Sequence, residues 1–529
     1  MIYCFWWLQV SAIDTENVVI LVNSTDQESI DLGYYYALKR NVPTQNIIQL
    51  PLPAEEKISW ESYLDSLYNP LVTQLLAAGW LEGFSSRRKD PLGRVVSLIE
   101  SHRIEALVIC KGVPLRILND PARLPAGETY PKGKKQFYTN RAAVDSELAL
   151  LPFPKANVDA FYPNSLYRRT KPRNLFDMKP LVVGRLDGPS YELARALVDR
   201  AITAEEDGIA GRAYVDMSGP HEQGDEWLES VVETLEENGF DVAVHREKGQ
   251  FNLVDRFDEP LFYFGWYSGG IDGPFTQYGF KFPVGAIALH IHSFSASSIR
   301  TSSKHWVGPL IARGVTATFG NTSEPFLFLT HQPQYFVEGL FKGLTTGEAA
   351  LFCVPALSWV GIFIGDPLYL PPLGFKLLPK NEYDVLRTAN KARRAGDASA
   401  YKAVVSEHSR SGHFATGLWL HRYFLARNDP DSAYEYLQST YRPSLDDSKN
   451  WGILVEISEA YFELDYKKEA EGILDGLLKF TRSKREVQLQ LLDKSIQLAT
   501  YYGLLEKADI WQKRLNELTA PAEEKANKN

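Results

Sequence analysis

From Asn17 to about residue 375 the chain alternates brief, β-branched apolar runs with segments of helical period, and this alternation constrains the fold more than any other feature. Short strands free of charge, separated by helices, are what a parallel sheet covered on both faces produces, because each strand is buried on both sides. The first unit shows the logic. Val18-Val19-Ile20-Leu21-Val22 reads as a strand, Asn23-Ser24-Thr25-Asp26 supplies turn and capping chemistry, and a helix passes through Tyr34, Tyr35 and Tyr36 to a stop at Arg40-Asn41-Val42-Pro43. Further strands are expected at 47–50, 106–110, 181–183, 212–215, 261–264, 286–289, 315–319 and 361–364. The predicted class is α/β, a mainly parallel doubly wound sheet spanning 17–375.

Two stretches depart from that pattern. Residues 118–180 carry Pro121, Pro125, Pro131, Pro152, Pro154, Pro163 and Pro172 among basic and polar residues, which reads as a long excursion over the surface. Within it the compact run Val144-Asp145-Ser146-Glu147-Leu148 would set the Asp145 and Glu147 carboxylates on one face if its backbone is extended. Beyond residue 378 amphipathic helices replace the strands. Ala433, Ala470 and Ala508 stand 37 and 38 residues apart, preceded in similar places by Tyr423-Phe424, Ala460-Tyr461 and Ala499 with Tyr501. Small residues at a helix crossing and large ones filling the groove suit a stacked helical repeat, so 378–520 reads as a tetratricopeptide-like array or an ordinary bundle. Such a region is expected to recruit a peptide, glycan or protein partner. Residues 521–529, PAEEKANKN, read as a disordered tail.

Composition removes several functions. Lys and Arg number 57 against 66 Asp and Glu, a net charge of −9 with no basic stripe, so nothing supplies the phosphate-neutralising surface that nucleic acid demands. Cys4, Cys110 and Cys353 are not spaced as pairs, which argues against a disulfide framework and a thiolate zinc site. The opening MIYCFWWLQVSA is apolar and ends small-x-small at Val10-Ser11-Ala12; residues 1–12 read as the remnant of a secretory signal or as a buried first strand. No later stretch reaches the roughly 18 apolar residues a membrane span requires, so none is expected in the mature chain.

In a doubly wound sheet the ligand crevice lies at the carboxyl ends of the strands. Here those ends are polar and aromatic: KGVPLR (111–116), GRLDGP (184–189), GWYSGG (265–270), HIHSFSA (290–296), GNTSEP (320–325) and GDP (365–367). His290 and His292 sit at one strand end, where a period of two points both rings to the same face. Three readings stay open for them. They are histidines hydrogen-bonded at a strand end; one serves as general base to Ser293; or both join Asp145 or Glu147 around a divalent metal. Trp266 and Tyr267 are candidates to wall a pocket or stack on a substrate, with Asn321 and Glu324 as polar contacts. Arg185 and Asp187 either bind substrate or pair with each other across a turn. Cys110 ends a strand with an apolar lead-in and reads as a buried thiol. The pattern names no cofactor.

These same segments carry a resemblance. KGVPLRI (111–117), VDSEL (144–148), GRLDGP (184–189), GDEW (224–227), HIHSFSA (290–296), WVGPLIARG (306–314) and LSWVG followed by GDPLY (357–369) resemble a bacterial family of unknown function that accompanies the exosortase protein-sorting system. More distantly, residues 181–206, YFGWYSG (263–269), residues 307–325 and the GDP at 365–367 are similar to gingipain-type cysteine peptidases, whose fold is caspase-like. That resemblance implies an exported, periplasmic or cell-envelope protein. Its catalytic histidine position holds Trp266 and its nucleophile position falls at His292-Ser293, with no cysteine within 50 residues of that strand end. Without a thiolate and its base the acyl-enzyme route has no nucleophile. The expected function is therefore binding or processing of peptide or glycan in a cell-envelope sorting context, with a metal-dependent hydrolase and a non-catalytic adaptor as alternatives.

Overall fold

A computed structural model describes residues 13–124, 135–153, 159–171, 178–217, 219–374 and 381–520. The expectations for 1–12 and 521–529, and for Pro125, Pro131, Pro154 and Pro172, lie outside the described residues.

Ten strands form one sheet in the spatial order Val242–His245, Arg212–Asp216, Pro260–Gly265, Ile287–His290, Ala317–Asn321, Gly361–Gly365, Val182–Leu186, Ala106–Cys110, Val18–Asn23 and Ile47–Leu50. Neighbours are parallel through the first five and through the last four. Gly361–Gly365 breaks the pattern: it runs antiparallel to Ala317–Asn321 and meets Val182–Leu186 through the single pair Arg185 and Ile364. The expected strands are all present, and the edge strand Val242–His245 is an addition to them.

Alternation along each strand builds two apolar layers. Val18, Ile20 and Val22 pack with Leu32 and Tyr36 of the helix Gln27–Arg40 on one side. Val19 and Leu21 pack with Trp60, Leu64 and Leu67 on the other. The first helix starts as its sequence suggests, with the Asp26 side chain accepting from the Glu28 amide, and it ends at Asn41 in the left-handed conformation. Away from the strands' carboxyl ends, the closing Gly365-Asp366-Pro367 turn is tied down by charge. Asp366 is buried and accepts from the Tyr36 hydroxyl at 2.8 Å, with Arg40 alongside at 2.5 Å.

The proline-bearing stretch is not a surface excursion throughout. Ala142–Ala143 pairs with Arg116–Ile117, which pairs with Lys57–Ile58, and Tyr162–Pro163 pairs with Ala356–Leu357. Val144–Leu148 is a short helix, not an extended segment, and Val144, Asp145 and Leu148 are buried. The helical geometry separates the two carboxylates: Asp145 turns to Arg185, whereas Glu147 takes the Ser358 hydroxyl. A single turn of helix wins here because its apolar residues at 144, 148 and 151 cover the Trp60 and Leu64 layer.

Helices from Glu382–Arg394 to Leu505–Thr519 make up the C-terminal region. Ala433, Ala470 and Ala508 are buried where paired helices meet. The region docks on the loop before Pro260–Gly265. The Leu253 amide donates to Gln490 at 2.8 Å, and Tyr383 donates its hydroxyl to Asp258. At Gly452 an added Cβ would lie 2.0 Å from the Asp255 carbonyl oxygen, so the helix backbone rests directly on that loop.

Arg185 is fully buried, with Asp145 at 2.5 Å and Asp187 at 3.3 Å. Removing one carboxylate leaves a buried cation under-compensated. Asp145→Ala is expected to lower the unfolding free energy by roughly 3–5 kcal/mol in denaturant titrations.

Candidate functional site

The strand ends meet on one rim. The Ser298 hydroxyl and Ile299 amide both donate to the Glu56 carboxylate, at 2.7 and 3.0 Å, and Arg300 reaches the Ala54 carbonyl at 2.7 Å. Arg116 donates to the Thr322 carbonyl. Loops following Ile287–His290 and Ala317–Asn321 therefore touch loops following Ile47–Leu50 and Ala106–Cys110. Convergence of this kind is what a crevice at strand termini requires.

His290 and His292 have different surroundings. His290 is 1 % exposed, and its ring lies 3.7 Å from that of Trp306 at an interplanar angle of 9°. Its Nε2 is 2.9 Å from the Ser268 amide, which can only donate, so Nε2 carries the lone pair and Nδ1 the proton. That proton faces the Tyr263 oxygen at 3.0 Å, and the Tyr263 hydroxyl donates onward to Asp216 at 2.9 Å. Burial, and secondarily His292 beside it, hold the His290 pKa well below the ordinary value. With both nitrogens engaged and no path to solvent, His290 cannot serve as a general base or hold a metal.

His292 is half-buried, beyond the end of the strand, and packs against Tyr267 with centroids 4.4 Å apart and the rings tilted by 34°. Tyr267 is 46 % exposed and the neighbouring Phe294 42 % exposed. Burial lowers the His292 pKa, while the Ser293 backbone and the Glu324 carboxylate oppose it. His305 lies close by, its pKa held down by burial and then by Lys304 and Arg116. The Ser293 hydroxyl has no hydrogen bond to either imidazole among the described residues, so the base–nucleophile pair is not assembled.

The other candidates separate into platform and scaffold. Trp266 is buried, and its Nε1 donates to Asp225 at 2.6 Å. A Cβ at Gly219 or Gly224 would come within 1.9 or 2.1 Å of the indole. Trp266 is thus core, held between glycines, and does not wall a pocket. Arg185 and Asp187 pair internally, with Arg185 also donating to the Val113 and Pro114 carbonyls at 3.0 and 2.9 Å, so neither is available to a substrate. Asn321 is buried and exchanges hydrogen bonds with Thr330 while reaching the His292 carbonyl at 3.4 Å. It shapes the His292 turn and does not meet solvent. Glu324 is half-buried near His292 and accepts from the Phe326 amide at 3.0 Å. Asp145 and Glu147 are committed elsewhere, and among the described residues no group of three or more His, Cys, Asp or Glu is arranged to hold a metal. Cys110 and Cys353 are buried, and burial raises both thiols far out of the reactive range.

Sequence reasoning missed the relay behind His290. His245 Nδ1 lies 3.0 Å from Asp216 Oδ1, so Asp216 is shared between His245 and Tyr263. Burial disfavours the His245 cation, but the Asp216 carboxylate overrides it and raises the pKa above the ordinary histidine value. Asp216 ends one strand and His245 its neighbour, opposite each other in register. Only strand pairing reveals that, and VAVH alone is too short to stand out as a strand.

No protein-family model matches the chain, and no curated protein matches it. A solved structure described as "Structure of Protease" aligns with a TM-score of 0.37 at 10% identity, covering 69% of this chain and 82% of that one. A likeness at that score carries no inference about chemistry.

The buried histidines give a pH test. Burial lowers the His331 pKa to about 3, and His290 is held low as above. Both stay neutral in the folded chain while the unfolded chain takes up protons below its histidine pKa of ~6.5. Their contribution is complete above that pH and falls beneath it by about 1.4 kcal/mol per pH unit for each ring. The Cε1 proton resonances of His290 and His331 are expected to show no titration between pH 8 and 5, whereas His245 titrates above pH 6.5.

Proposed function

We propose that the protein binds a peptide or glycan segment across the rim without turning it over, using the tilted His292–Tyr267 ring pair as its platform. The observation that carries this reading is the contrast between two neighbouring rings. His290 is sealed under Trp306 with both nitrogens used, whereas His292 and Tyr267 pack at a tilt and are partly open, and Phe294, two residues on, is exposed. A partly exposed aromatic pair beside a carboxylate offers an apolar face and a polar contact together, which suits recognition of sugar rings or of peptide side chains. Hydrolysis by an enzyme nucleophile would need an activated group and a base within reach of each other, and the rim presents neither a thiolate nor an assembled Ser293–histidine pair.

The wider setting rests on the sequence resemblance. We place the α/β unit as a gingipain-like, caspase-like domain that has lost its catalytic pair, exported to the periplasm or cell envelope and acting beside exosortase-dependent sorting. The helical region, read as tetratricopeptide-like, would recruit a partner to the bound segment. No helix among the described residues is long and apolar enough to cross a membrane.

Glycan and peptide arrays probed with the whole protein test the reading. Binding by the unaltered chain, weakened about tenfold in His292→Ala and in Tyr267→Ala, is the expected result, equivalent to about 1.4 kcal/mol each. Mass spectrometry of the bound ligands should find them intact. Cleavage that disappears in His292→Ala would make the rim an active centre and overturn the proposal.

A further inference from the structure

A cavity of about 570 Å³ lies between the sheet's edge strand Val242–His245 and the helices Phe414–Leu425, Asn450–Glu463 and Arg485–Tyr501. It shares no lining residue with the His292–Tyr267 platform, being lined by the whole edge strand and by the docking loop that precedes Pro260–Gly265. Its size falls within the ~300–1,000 Å³ typical of ligand sites.

The edge strand is unpaired on the cavity side. Carbonyls of Asp241 and His245 accept from the Ala213 and Met217 amides of the neighbouring strand, at 3.0 and 2.8 Å. Residues alternate in a parallel pair, so Val242 and Val244 turn their N–H and C=O groups outward, into the cavity. Among the described residues no backbone group meets them there. Unpaired strand edges are usually covered, charged or used as templates, because each free amide and carbonyl favours a partner. Here the helices stand off from the edge and leave room for a further strand.

The charge of the walls says what such a strand should carry. Seven carboxylates line the cavity against four Lys and Arg side chains. Three of those four cations are already engaged: Arg212 with Asp241 at 2.7 Å, Arg256 with Asp258 at 2.5 Å, and Arg422 with Glu456. Glu456, Glu459 and Glu463 follow one another at helical spacings of three and four on the face toward the cavity. Glu459, and Asp493 across from it, have no cationic partner among the described residues. The walls therefore hold surplus negative charge.

We propose that this cleft accepts an extended, basic segment of another protein, which adds to Val242–His245 as an eleventh strand. The main chain of Val242 and Val244 supplies the directional bonds, and Lys or Arg side chains projecting from the segment meet Glu459 and Asp493. This site is independent of the rim platform and stands or falls separately from it.

Four synthetic hexapeptides test the proposal by calorimetry on the full chain: alternating lysine–valine, the same peptide N-methylated on alternate backbone nitrogens in each of the two registers, and alternating glutamate–valine. The lysine peptide should bind, with affinity lost by about tenfold or more on N-methylation in one register, and the glutamate peptide should not bind. Glu459→Gln combined with Asp493→Asn should weaken the lysine peptide several-fold, while Tyr267→Ala, at the other site, leaves it unchanged. Equal binding of both N-methylated peptides would show attachment by charge without strand addition, and equal binding of the glutamate peptide would remove the charge argument; either overturns the proposal, as does failure of all four to bind. The N-methyl arm alters only the peptide, so it reads strand addition whether or not the double variant folds.

Discussion

The buried cluster around Arg185 is the interaction on which the rim depends. A guanidinium with no solvent contact must find hydrogen-bond acceptors and opposite charge inside the protein, and this one collects them from separate parts of the chain. Asp145 comes from the helix Val144–Leu148, the Val113 and Pro114 carbonyls from the loop after Ala106–Cys110, and Asp187 from just beyond its own strand. Asp187 in turn lies 3.7 Å from Arg300, in the loop that follows Ile287–His290. One cation thus fixes the positions of four segments, and satisfying it draws both halves of the sheet's carboxyl edge together.

Around that anchor the rim divides between rings that hold the structure and rings that face outward. Trp306, His290 and Tyr263 stack in the core, and the hydroxyl and imidazole between Ser268 and Asp216 form a continuous line of donors and acceptors. Such a line is satisfied at every position only while His290 is neutral, which matches the effect of burial on its pKa. His292 and Tyr267 sit outside that line and keep their freedom to meet a ligand. Two histidines two positions apart therefore play different parts because the strand stops at the first of them.

Most of the sheet was legible in the sequence because a doubly buried strand announces itself as an unbroken apolar run, as in Val18–Asn23 and Ala106–Cys110. The convergence of strand-end loops was legible too, since parallel topology places them on one edge. What escaped were features set by tertiary pairing. VDSEL became helical because its apolar residues pack on Trp60 and Leu64, and no local period shows that. Trp266 looked like a pocket residue because the glycines that receive its ring, Gly219 and Gly224, lie more than forty positions upstream. Val242–His245 was overlooked as a strand because an edge strand is only half covered and carries a weaker apolar signal. Asp216 and His245 become neighbours only once that strand is in place.

The bare backbone of Gly452 against Asp255 has a consequence for how the chain behaves as a whole. Contact without an intervening side chain brings the helix Asn450–Glu463 as close to the loop backbone as glycine permits. Leu253 and Val254 share one apolar cluster with Trp451 and Leu454. Relative movement of the helices and the loop that carries Asp255 would therefore expose this shared apolar cluster.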